Sequence, residues 1–123
     1  MRTLSLALLV LTVSVARAQD APAPPTPAAL AADLARMLDE RVGLTSAQAA
    51  RVEPVLRDHA ERVVPLIGRG GMLALLRARG RVRAANRETD AALRPLLTAE
   101  QLQRYGGFLD DAMDHVRRRR GGG

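Results

Sequence analysis

The chain has no cysteine, no lysine and no tryptophan, and one tyrosine and one phenylalanine (Tyr105, Phe108) make up its 2% of aromatic residues. The missing cysteine excludes a disulfide scaffold, a zinc–cysteine module, a thiol nucleophile and a CxxC redox pair. With so few aromatics, any core must be built from Leu, Val and Ala. A length of 123 residues allows one domain and little more. What is abundant is arginine: all 19 basic residues are Arg, against 13 Asp and Glu, for a formal charge of +6. A surplus of that kind points first to nucleic acid, and its distribution along the chain decides whether the suggestion stands.

Residues 1–18 have the composition of a secretory signal. Arg2 gives the positive start, Leu4 to Val15 form a short apolar run, and Ala16-Arg17-Ala18 gives the small-x-small cleavage pattern. The run is shorter than the ~20 apolar residues of a membrane span; an uncleaved N-terminal anchor is the alternative. Cleavage starts the mature chain near Gln19 and places it in the periplasm of a two-membrane bacterium, where little nucleic acid is found. Two arginines leave with the signal, so seventeen face thirteen acids, a net +4. Residues 19–27 form a Pro/Ala-rich leader expected to be disordered, because its prolines cannot donate helical hydrogen bonds.

From Thr26 onward the apolar residues recur with helical spacing and no stretch alternates as a strand would. The spacing predicts an all-α domain of four helices over 28–116. Thr26 and Pro27 cap and open the first helix, with Leu30, Leu34, Met37 and Leu38 on one face and Gly43 at its end. The second starts at Leu44-Thr45-Ser46-Ala47-Gln48, where Thr45 caps the helix and Gln48 reaches back to the Thr45 N–H. Val52, Val55, Leu56, His59, Val63, Leu66 and Ile67 form its apolar stripe. Pro54 is expected to kink it or cost it the bond to Ala50, and Pro65 with Gly68, Gly70 and Gly71 to end it. The third helix, from about Met72 to Arg94, buries Leu75, Ala78, Val82, Ala85, Thr89, Ala92, Leu93 and Leu96. The fourth opens with Leu97-Thr98-Ala99-Glu100-Gln101, a second copy of the same box. Leu102, Tyr105, Leu109, Ala112, Met113 and Val116 form its stripe, and residues 117–123 are expected to be a disordered Arg/Gly tail.

Two Leu-Thr-x-x-Gln boxes (Leu44, Thr45, Gln48; Leu97, Thr98, Gln101) in an exported, Cys-free helical chain resemble the LTXXQ-motif family. Its members include the periplasmic Spy/CpxP-type chaperones and stress regulators and proteins described as heavy-metal resistance or metal-sensing proteins. The resemblance spans Leu44 to about Leu109 and is strongest from Leu93 to Tyr105. It implies a bent helical hairpin that forms a homodimer shaped as a thin cradle, whose concave face binds unfolded clients without ATP. The distance in sequence between Thr45 and Thr98 is shorter than in the chaperone members, which implies a smaller cradle.

The charges alternate in sign along the chain: −3 over residues 20–61, +7 with no acid over 62–87, and −4 over 88–116. The +4 of Arg117–Arg120 therefore accounts for the whole mature surplus, and the folded body is neutral with a cationic middle helix. On that helix Arg77 and Arg81 flank one edge of the apolar stripe and Arg79, Arg83 and Arg87 the other, while Met72, Leu73 and Leu76 project away from it. A surface both cationic and apolar suits unfolded chains: arginine steers acidic segments and the apolar atoms hold weakly. The rival reading is a solvated helix face whose leucines are covered by a loop or dimer partner. His59, within an apolar stripe, is either a pH-sensitive switch or a buried, hydrogen-bonded histidine. Asp110, Asp111, Asp114 and His115 do not converge as metal ligands should. Arg117–Arg120 are either a contact to anionic lipid headgroups or a solubilising end. No nucleophile has an adjacent base and no Gly-rich loop follows a strand, so neither an enzyme nor a cofactor is expected. The expectation is an ATP-independent periplasmic holdase acting under envelope stress. Its rivals are a regulator of a sensor kinase's periplasmic domain and a metal-binding resistance protein.

Overall fold

A computed structural model of the chain describes residues 25–67 and 71–121. The signal sequence, most of the leader, and Gly68 to Gly70 lie outside the described residues. Every element is helical: α1 (Pro27–Val42), α2 (Ser46–Ile67), α3 (Gly71–Arg77), α4 (Arg79–Leu93), a 3-10 turn (Arg94–Leu96), α5 (Ala99–Tyr105) and α6 (Phe108–Gly121). The chain is all-α, with no strand among the described residues, and its elements group into the four arms that the sequence spacing predicts.

Local chemistry sets the arm boundaries. The Thr26 hydroxyl accepts the Ala29 N–H at 3.1 Å, satisfying one of the free donors at the start of α1. Pro27 follows at the first turn, where its missing N–H costs nothing. Gly43, at φ +69°, ends the helix in a backbone region that a side chain would disfavour, and the Asp39 carboxylate accepts the next N–H, that of Leu44, at 2.8 Å. The following arm, α2, runs unbroken through Pro54 and Pro65. Pro54 and Ala50 both lie on the exposed face, so water can take the carbonyl that Pro54 cannot serve.

The third arm is not one helix. It divides at Ala78, although the bonds Ala78 N–H to Ala74 and Val82 N–H to Ala78, both 2.9 Å, carry the direction through. Its buried line is Ala78, Val82, Ala85, Asn86, Thr89 and Leu93. The expected core residue Ala92 is exposed, because it lies about 70° around the helix from the centre of that line at 100° per residue. The Leu75 side chain lies outside the described residues, and Leu96 is half-buried.

The fourth arm breaks at Gly106 and Gly107, where Gly106 has φ +48°. Beyond the break, α6 continues through the arginine run to Gly121, a correction to the disordered tail expected from residue 117. Arginine is a strong helix former, and cations at a helix C-terminus interact favourably with its dipole; the breakers begin only at the final glycines.

The arms close on one core. Leu30, Leu34, Leu38 and Val42 of α1 and Val52, Leu56, Ala60 and Val63 of α2 meet Ala85 and Leu93 of α4, Leu97, and Tyr105, Phe108, Leu109 and Ala112 of the last arm. Tyr105 and Phe108, with ring centroids 5.8 Å apart, fill the position between α1 and the break. Among the described residues no helix is long and apolar enough to cross a membrane.

Candidate functional site

Two features stand out above this core: a clasp made by the repeated boxes, and an arginine-rich surface on the third arm. Both boxes close as the sequence predicts. The Gln48 N–H donates to the Thr45 hydroxyl (3.1 Å) and the Thr45 N–H to Gln48 Oε1 (3.0 Å). In the second box the same two bonds measure 3.2 Å and 2.9 Å between Thr98 and Gln101. Each glutamine then reaches across to the other box. Gln48 Nε2 donates to Gln101 Oε1 at 2.7 Å and Gln101 Nε2 to Gln48 Oε1 at 2.9 Å. The second amide hydrogens go to the backbone: Gln48 Nε2 donates to the Leu96 carbonyl (3.1 Å) and Gln101 Nε2 to that of Gly43 (2.7 Å). Leu96 and Gly43 are each two residues before the opposing threonine, so the arrangement is a local two-fold. It satisfies both amides in full and fixes the start of α2 against the start of α5. In both boxes the leucine serves the core: Leu97 is buried and Leu44 packs against it.

Arg41 braces the adjacent break. Its Nε donates to the Arg104 carbonyl at the end of α5 (2.9 Å), and its guanidinium pairs with Asp111 in the first turn of α6 (2.9 Å). The same guanidinium passes so close to Gly106 that a Cβ there would lie 3.2 Å from it.

The residues expected to bind clients occupy the solvent side of the third arm. Leu73 and Leu76 are 68% and 55% exposed, and they are the large apolar side chains that the fold leaves in water among the described residues. The Met72 side chain lies outside the described residues. Arg77, Arg79, Arg81, Arg83 and Arg87 are all exposed, and none is in an ion pair among the described residues. Arg62, in the same acid-free segment, differs: it bridges Asp58 (3.1 Å) and Glu88, and the bond to Glu88 raises its pKa. The five unpaired arginines do not form one strip. At 100° per residue Arg77 and Arg81 fall to one side of Leu73 and Leu76, Arg83 and Arg87 to the other side of the outer face, and Arg79 nearer the buried line on that second side; it is this second side that reaches α6.

There Arg83 and Arg87 line an open groove of about 470 Å³ with Asn86, Asp90, Arg94, Gly106, Gly107, Leu109 and Asp110. Asp90 is held by Arg94 Nε at 2.7 Å, and the Arg94 guanidinium lies over the Tyr105 ring, 5.4 Å from its centroid. The Tyr105 hydroxyl is buried without a well-formed hydrogen bond; burial, then the neighbouring Asp90 carboxylate, push its pKa well up. Asn86 is the residue that pattern reading misses. A polar side chain on a helix otherwise rich in arginine gives no local sign of burial, yet its phase, one turn after Val82, places it on the buried line.

His59 is 2% exposed and its Nδ1 lies 2.8 Å from the Thr89 hydroxyl. Burial, then the positive Arg62, lower its pKa below the usual 6.5, and the Ala85 backbone bond and Asp58 oppose this. Of the two readings, the buried, hydrogen-bonded histidine is the one its surroundings match. The acidic residues of α6 go separate ways: Asp111 to Arg41, and Asp110 to the Asn86 amide at 3.2 Å. No group of three potential metal ligands occurs among the described residues. In the arginine run the Arg118 side chain is exposed. No family model, curated protein or solved structure matches this chain.

Proposed function

We propose that the protein is an exported, ATP-independent holdase of the Spy/CpxP type that captures unfolded polypeptides on the solvent side of its third arm. The observation that carries this reading is the exposure of Leu73 and Leu76 beside arginines that no acid neutralises. A folded chain ordinarily buries such leucines or scatters them singly. Here they sit within one helical turn of each other, next to unpaired charge. Such a surface offers fast, weak and non-selective contact: cations draw acidic segments in, and short apolar patches hold them without a fixed register. A homodimer would set two such arms side by side and enlarge the surface.

Several unrelated proteins, each induced to aggregate in the presence of near-stoichiometric amounts of the mature chain, test the proposal by light scattering. Slower aggregation of most of them supports it. Protection of none, combined with saturable binding to the periplasmic domain of a single sensor kinase, replaces it with the regulator reading.

A further inference from the structure

We infer that the arginine-bearing last turn of α6 is a docking surface for an anionic lipid bilayer, presented at the end of the molecule where α1 begins. The inference does not rest on holdase activity and would stand if that activity failed.

Two kinds of residue follow each other along α6. As far as Val116 the helix serves the core, through Phe108, Leu109 and Ala112 and the half-buried Met113 and Val116. Beyond Val116 no described residue belongs to the core, yet the helix continues from Arg117 to Gly121. The helical rise holds the four arginine positions within about 5 Å along the axis, half the span of an extended chain. This turn carries the molecule's surplus charge: of the seventeen arginines from Gln19 onward, the thirteen outside it match the thirteen acids. No acid follows Asp114. Arg118 is exposed and in no ion pair among the described residues. The two acids that line an open groove with it, Glu40 and Asp111, are engaged by Arg36 and Arg41.

The fold fixes which end this turn occupies. Asp111 pairs with Arg41 near the end of α1, while Met113 and Val116 share a small void with Leu30 and Leu34 near its start. α6 is therefore antiparallel to α1, and its arginines leave the body beside the first turn of α1. The clasp lies at the other end of that 16-residue helix, about 24 Å away. The apolar run Leu4 to Val15 is joined to the arginine end by residues 16–26. A bilayer that takes up the apolar run thus has the arginines on the side facing its headgroups.

Charge and composition name the partner. Four adjacent guanidiniums match a plane of lipid phosphates, which several of them can engage at once. A nucleic acid offers phosphates too, but single-stranded nucleic acid is held by aromatic side chains on which its bases stack, and Tyr105 and Phe108 are both buried.

The test uses the chain from Gln19, which contains every described residue and lacks the apolar run. Its sedimentation is measured with vesicles of phosphatidylcholine alone and of phosphatidylcholine mixed with an equal part of phosphatidylglycerol. Binding is expected to the anionic vesicles and to weaken as salt is added. Each arginine near such a surface is worth about fivefold in partitioning, so Arg118→Gln should cost about fivefold and Arg117→Gln/Arg118→Gln/Arg119→Gln/Arg120→Gln several-hundredfold. Glutamine keeps the helix propensity, and matched far-ultraviolet spectra confirm the fold. Arg51→Gln/Arg104→Gln removes two exposed charges at the clasp end and should change binding by less than Arg118→Gln alone, because they lie beyond a Debye length from the docked surface. Since the chain has no cysteine, a dye can be placed at Ala28→Cys, in the first turn of α1, or at Ala47→Cys, beside the clasp; both positions are exposed. A quencher carried by the lipid should reach the first and not the second. Equal binding to neutral and anionic vesicles, binding to neither, or an equal loss from the Arg51/Arg104 variant would overturn the inference. So would stronger quenching beside the clasp, or tighter binding to single-stranded oligothymidine than to the anionic vesicles.

Discussion

Replacing Gln101 with alanine should be among the most damaging single changes in the chain, although the residue is polar and outside the apolar stripe. Its side chain takes part in four hydrogen bonds: from the Thr98 N–H, from Gln48 Nε2, to Gln48 Oε1, and to the Gly43 carbonyl. Each is worth about 0.5–1.5 kcal/mol net. With the side chain 94% removed from water, solvent cannot fully replace them, so the loss should come to about 3 kcal/mol. That is a large share of the 5–15 kcal/mol typical of a small domain. Gln48 takes part in four bonds as well, but it is only half-buried, and water can reach the groups left behind, so Gln48→Ala should cost about 1.5–2 kcal/mol. Because the two amides bond each other reciprocally, the double variant should cost about 1–2 kcal/mol less than the sum of the singles. Urea unfolding of the four proteins, followed by circular dichroism at 222 nm, measures all three quantities. Additive losses, or a Gln101→Ala loss no larger than that of an ordinary exposed cap, would refute the clasp as the joint between the two halves of the fold.

Other consequences follow from single positions. A Cβ at Gly80 meets nothing within 4 Å, so Gly80→Ala should raise stability by about 0.5–1 kcal/mol, seen as a higher urea midpoint. At the break, Gly106→Ala should cost about 1–2 kcal/mol, because it holds a side chain at positive φ and presses on the Arg41 guanidinium. Gly107→Ala, with open space around its Cβ, should change the midpoint little, and the pair of midpoints separates backbone strain from loss of flexibility. The lowered pKa of His59 fixes a sign: the unfolded chain takes up a proton near pH 6.5 that the folded chain refuses until lower pH. Stability from this group is therefore complete above pH 6.5 and is lost as pH falls from there through the folded value. Urea midpoints between pH 7.5 and 5 should show a steeper fall in wild type than in His59→Leu, and parallel slopes would contradict the assignment.

The parts of this fold that were legible in the sequence are those specified by neighbours in the chain. Thr26 with Pro27, and each Thr with the Gln three residues on, announce helix starts because the bonds they make are local. The stripes through Leu30, Leu34 and Leu38 and through Val52, Leu56 and Val63 show for the same reason: one helix face is a property of one segment. The clasp between Gln48 and Gln101 spans 53 residues, and nothing near either glutamine indicates that its remaining hydrogens have partners in the other box. Asn86 and Ala92 exchanged places for a different reason: their polarity argued one way and their phase on the helix the other, and phase prevailed. The Gly106-Gly107 break was signalled, since paired glycines interrupt helices, but the apolar spacing from Leu102 to Val116 runs straight across it. Of the candidate client surface, the exposed leucines and arginines were legible. So was its division, with Arg77 and Arg81 on one edge and Arg79, Arg83 and Arg87 on the other; what was not is that Arg83 and Arg87 line a groove completed by residues some twenty positions on.

The most direct test of the proposed function is one aggregation experiment on the third arm. A chemically unfolded client is diluted into wild type, into Leu73→Ser/Leu76→Ser, and into Arg77→Gln/Arg79→Gln/Arg81→Gln, with matched circular dichroism spectra confirming that all three are folded. These five side chains are exposed and outside the core, so their loss should leave the fold intact. The account predicts that wild type delays scattering at near-stoichiometric ratio, that each variant loses most of that delay, and that added salt weakens wild type more than the arginine variant. Full protection by both variants, or none by wild type, would contradict it.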